Sequence, residues 1–68
     1  MAASVRGQQV TYESPTGQTR TMHSAHAVDA YQDSANKKLH IECKNGGKQW
    51  TEVYEIPTAS SAPRKISG

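Results

Sequence analysis

His23, His26, His40 and Cys43 come nearest to a chemical signature in this chain, falling as His-x2-His, thirteen residues, then His-x2-Cys. Two such pairs imitate the knuckles of a four-ligand zinc site, and a metal would stabilise a short chain. Two facts weigh against it. Structural zinc sites carry more cysteine, and on a regular strand positions 40 and 43 point to opposite faces. The reading taken is therefore unrelated histidines and a buried thiol, with no cofactor. Cys43, His40 and the serines also supply the parts of a nucleophilic site, yet no motif sets a nucleophile on a turn beside a base. Gly46-Gly47 precedes no helix start and so makes no phosphate loop. A thin core leaves little room for a water-excluding pocket, and the chain reads as non-enzymatic.

A second grouping concerns binding. In KKLHIECKNGGKQWTEVY, residues 37 to 54, cations and aromatics interleave: Lys38, His40, Lys44, Lys48, Trp50 and Tyr54. Gathered on one face they would form the stacking platform with adjacent charge that single-stranded nucleic acid favours. Glu42 and Glu52 interrupt that face, and eight Lys and Arg against six acids give a net charge of only +2, a weak field for attracting phosphate. The first expectation is accordingly a small interaction or regulatory module working through protein contact or self-association. A nucleic-acid-binding module is the alternative.

Which face Trp50 takes depends on the turn that precedes it. A two-residue Asn45-Gly46 loop sets Ile41 opposite Trp50 and collects Leu39, Ile41, Cys43, Trp50, Tyr54 and Ile56 on one side. A three-residue loop turns Trp50 and Tyr54 to the other side. The first register buries more apolar surface, so Trp50 is expected inside. Upstream, QQVTYESPTGQTRTMH reads as another hairpin, with Pro15 and Gly17 in its turn. It pairs Val10 with Met22 and Tyr12 with Arg20. Between the hairpins, 24 to 36 is ambiguous. Ser24 can cap a helix with Ala27, Val28, Tyr31 and Ala35 inward, Asp33 to Asn36 suggest a turn, and the same residues can also run as a strand.

The fold class expected is thus β-rich, an all-β small barrel or an α+β domain, with two antiparallel hairpins around that middle segment. Size and strand count are those of small SH3-like or OB-like barrels, an analogy that transfers no function. One domain spans 7 to 56. Residues 1 to 6 are expected to fray, and the Pro- and Ser-rich 57 to 68 to form a flexible tail. Leu, Ile and Val number eight in 68 residues and Phe is absent, a core thin enough that a second copy, as in a homodimer, or a protein partner would help to complete it. A single cysteine excludes an internal disulfide and fits a reducing compartment. With no apolar leader or membrane-spanning run, the expected location is cytoplasmic.

Overall fold

The computed structural model describes residues 3–33, 37–58 and 62–68, and every regular element among them is a strand. In order these are β1 (Ser4–Arg6), β2 (Gln9–Glu13), β3 (Thr19–His23), β4 (Ala27–Gln32), β5 (Lys38–Asn45), β6 (Lys48–Glu55) and β7 (Arg64–Ser67). They form two antiparallel sheets, β1-β2-β3 and β4-β5-β6-β7. Each sheet keeps its own free edges, so the small barrel is not closed.

The first hairpin follows its sequence pattern. Val10 pairs with Met22 and Tyr12 with Arg20, which turns Val10 and Tyr12 into the core and leaves Thr19, Thr21 and His23 exposed. Gly17, at φ +90°, donates to the Ser14 carbonyl at 2.9 Å, a left-handed geometry that glycine adopts without penalty. Ser14 is fully buried, and its Oγ accepts from the Gln18 N–H at 3.1 Å.

The middle segment is a strand rather than a helix, with a bulge between Ala27 and Asp29. The extra residue breaks the alternation of two, so Ala27 and Ala30 both face inward while Val28 and Tyr31 lie exposed. This is why the segment's apolar spacing imitates a helix. Ala35, the last residue of the helical stripe, lies outside the described residues, as does most of the Asp33 to Asn36 turn.

In the second hairpin the two-residue turn is Gly46-Gly47, with Asn45 opposite Lys48, and the left-handed φ falls on Gly46. Glycine at the first central position suits a two-residue hairpin turn as well as Asn-Gly does. The register is thus two residues from the expected one, and Trp50 meets Cys43 instead of Ile41. A shift of two preserves every face, so Trp50 and Tyr54 still pack against the core.

Two short strands fall within the segments expected to fray and to form a flexible tail. Ser4–Arg6 pair with β2 across a Gly7-Gln8 turn, and Arg64–Ser67 pair with β6. Every side chain of β7 is exposed, so its backbone pairing with β6 is what places it, and that leaves no mark in composition.

The core lies between the sheets: Val10 and Tyr12 from the first, Ala27, Ala30, Leu39, Ile41 and Cys43 from the second, and Ile56 after β6. Gln32 ties the sheets together, its amide oxygen accepting from the Glu13 N–H at 2.9 Å and its amide nitrogen donating to the Glu13 carbonyl at 2.7 Å. One side chain thereby satisfies both backbone groups of a strand-end residue.

Candidate functional site

The pleat of β5 and β6 sorts the expected binding residues onto two surfaces. Positions 39, 41 and 43 on β5 and 50, 52 and 54 on β6 face the core. Lys38, His40 and Lys44 take the opposite, outer face, while Lys48 lies exposed beside the turn. The aromatic and basic residues therefore do not converge. The Trp50–Tyr54 platform is dissolved by the alternation that placed Trp50 inside.

On the inner face, Glu52 sits between the two aromatics of Trp-x-Glu-x-Tyr. Its carboxylate accepts from Trp50 Nε1 and from the Tyr54 hydroxyl, each at 2.8 Å, and Lys65 Nζ stands 3.7 Å away. Burial pushes the Glu52 carboxyl upward, but the hydrogen bonds from Trp50 and Tyr54 and the charge of Lys65 outweigh it and hold it below the usual carboxylate range. Tyr54 is pushed up to about 12, first by burial and then by its bond to the Glu52 anion. Glu52 is thus an ionised acceptor already engaged by donors, which suits anchoring rather than proton transfer. Sequence reasoning met Glu52 only as a charge interrupting the aromatic and basic face, and gave neither it nor Lys65 a place in a site. Parity could have found Glu52, since a strand that buries Trp50 and Tyr54 must also bury position 52.

The four proposed zinc ligands are scattered. His23 Nε2 lies 3.1 Å from Gln8 Oε1, His26 meets the Trp50 ring edge-on at 5.9 Å, and His40 stacks on Tyr31. Cys43 is buried. Among the described residues no three His, Cys, Asp or Glu side chains are placed to hold a metal. Burial, with the nearby Glu52 charge, pushes the Cys43 thiol above its ordinary value despite an opposing hydrogen bond to Ser24. A raised, inaccessible thiol is a poor nucleophile. Native protein is expected to react with iodoacetamide at least tenfold more slowly than protein unfolded in guanidinium, as read by mass spectrometry.

The outer face of the second sheet is the surface with a distinctive arrangement. Tyr31, His40, Val53 and Ser67 form one row across all four strands. The Tyr31 and His40 rings stack at 4.9 Å and within 2° of parallel. Asp29, Glu42 and Thr51 form the row on one side, and Lys38, Glu55 and Arg64 the row on the other, where Arg64 bonds Glu55 at 3.0 Å. Val28, thrown outward by the bulge, borders a shallow depression of about 200 Å³ with Glu42, Gln49 and Thr51. Sequence reasoning does not single out Tyr31 and Val28 here, because the segment stays open between a helix, which places both on its inner stripe, and a strand.

These features define a small all-β domain of two open antiparallel sheets with one patterned, solvent-facing sheet surface. No protein-family model, curated protein or solved structure matches the chain. Among the described residues no helix is long and apolar enough to cross a membrane.

Proposed function

We propose that this domain is a non-enzymatic interaction module that binds another protein through the outer face of β4-β5-β6-β7. The carrying observation is the exposed Tyr31–His40 stack, flanked by Val53 and by the Val28 depression, within a rim of charges of both signs. An aromatic centre with an adjacent hollow and a polar rim is the anatomy of a protein interface. Asp29 stands directly opposite Glu42, and Glu55 lies opposite Lys38. This mixed charge favours a protein partner over a polyphosphate chain. Val28 and Tyr31 are 56% and 49% exposed, so a partner gains surface that the fold leaves uncovered.

The test compares wild type with Val28→Ser/Tyr31→Ser, a pair expected to cost the fold about 1 kcal/mol or less. Wild type should retain a partner through a high-salt wash, and the variant should lose it at an unchanged fold. Equal retention by both would sink the reading. So would micromolar affinity for single-stranded RNA or DNA with a steep salt dependence, abolished by Lys38→Glu/Lys44→Glu, because phosphate contacts carry that signature.

A further inference from the structure

The four edge strands are not alike. A free strand edge is a template for another chain, and proteins blunt such edges with bulges, charges or short length. β1 has three residues, β4 is bulged at Val28 and lies against β1, and β7 is bulged at Ile66 and begins with Arg64 and Lys65. β3 is neither bulged nor as short as β1, and its one full charge, Arg20, lies on the inner face opposite Tyr12. It runs Thr-Arg-Thr-Met-His in unbroken register with β2, with no proline, glycine, lysine or acid, and among the described residues nothing pairs along its other side.

The hydrogen-bond phase of that edge is fixed by the turn. Ser14 N–H bonds the Gln18 carbonyl at 2.8 Å, and beyond the far end Ser24 N–H bonds the Gln8 carbonyl at 2.8 Å. In an antiparallel ladder the bonded pairs alternate, so Arg20 and Met22 spend their backbone groups on β2. Thr19, Thr21 and His23 aim theirs outward.

We infer that β3 is a homodimer interface, in which Thr19–His23 pairs antiparallel with the same strand of a second copy about a two-fold axis at Thr21. That operator matches every outward group: Thr21 with Thr21, and Thr19 with His23 in both directions, for about six backbone hydrogen bonds. Thr21 then packs beside its copy on the outer side, a favourable cross-strand pair. Arg20 comes opposite Met22, so the strand's one fully charged residue faces a half-buried thioether rather than its own copy. The result is a continuous six-stranded sheet, β1-β2-β3-β3-β2-β1. The match is self-complementary, which is why the occupant is a second copy and not a foreign strand. A contact of this length sits at the weak end of interface sizes, so the dimer dissociates on dilution. The inference extends the interaction-module reading to a different surface.

Sedimentation velocity on the full chain over a hundredfold concentration range is the first measurement, with a shift from 7.4 kDa toward twice that mass expected. Thr21→Pro removes an outward N–H without touching the β2 ladder, the position where an edge strand tolerates proline. It should remain folded by circular dichroism and stay monomeric throughout. Thr21→Cys should cross-link to its own copy under mild oxidation, since bonded pairs place Cα atoms about 5.5 Å apart, whereas Thr19→Cys, facing His23, should do so at least tenfold more slowly. If Thr21→Pro does not fold, Thr21→Lys sets like charges across the axis and should weaken the dimer at least tenfold. A wild type that stays monomeric overturns the inference, as does a dimer that persists in a folded Thr21→Pro or Thr21→Lys, or equal cross-linking at 19 and 21. Those outcomes leave the outer-face reading standing, because its test rests on Val28 and Tyr31. Loss of that reading would likewise leave the β3 dimer measurable.

Discussion

Ile41→Ala is expected to leave a large unfolded fraction at room temperature. Ile41 is fully buried at the centre of the second sheet, opposite Ala30 on β4 and Glu52 on β6. Truncating a buried isoleucine costs about 2–5 kcal/mol, from lost transfer energy plus the cavity left behind. A domain of this length has roughly 3–10 kcal/mol in total, at about 0.05–0.15 kcal/mol per residue. The cost falls toward the upper end because Ala30, across the ladder, is too small to fill the space and Glu52 is held in place by three partners. Urea unfolding followed by Trp50 emission measures the loss. Ile66→Ala, at a bulged and 45% exposed position, serves as the comparison and should shift stability by about 0.5 kcal/mol or less. Similar midpoints for the two variants would mean that the core is not where the burial pattern places it.

The contrast between those isoleucines shows which parts of the fold could be read from the chain. Alternation over 9–13 and 38–45 identifies strands because burial on one face writes a period of two into the sequence. The Pro15 and Gly17 turn fixes the first register through local chemistry alone. Trp50 was legible for a subtler reason: the turn slid from Asn45-Gly46 to Gly46-Gly47, yet any two-residue slip keeps the same side chains inside. Where the period breaks, legibility ends. The bulge at Val28 gives Ala27 and Ala30 a spacing of three, which is also a helical spacing, so the periodicity of this segment could not separate strand from helix.

The candidate surface was less legible than the fold. Lys38, His40, Lys44, Trp50 and Tyr54 are neighbours in sequence, but strand parity divides them between two faces. The partner that His40 does find, Tyr31, comes from across the β4–β5 ladder. Cross-strand neighbours depend on register, and this register depends on the bulge. β7 is harder still, because four exposed residues joined to β6 through their backbone need no apolar pattern. The Lys65–Glu52 approach at 3.7 Å and the Arg64–Glu55 bond tie its side chains to β6, and exposed pairs of the second kind add little.

The same Lys65 and Glu52 set the expected response to acid. Glu52 is ionised in the fold with its carboxyl held below the ordinary value, so folding favours its deprotonated form. The stability that this contributes is complete above the unfolded carboxyl value near 4.5 and is lost as pH falls below it toward the folded value. Wild type should therefore lose stability on acidification below about pH 4.5. Glu52→Gln should flatten that dependence, since a neutral amide has nothing to protonate. At neutral pH the same change keeps one oxygen for either Trp50 Nε1 or the Tyr54 hydroxyl but turns an N–H2 donor toward the other, leaving a half-buried donor without an acceptor at a cost of about 1–3 kcal/mol. Glu52→Leu strips the acceptor from both and leaves Lys65 without its anion, so its loss should exceed that of Glu52→Gln, because removing one partner leaves every donor of the cluster unsatisfied. Denaturant midpoints for the three proteins between pH 3 and pH 7 decide the matter. If acid destabilises Glu52→Gln as steeply as wild type, the carboxylate between Trp50 and Tyr54 is not the group that acid attacks, and its place in holding β6 to β7 would fall with it.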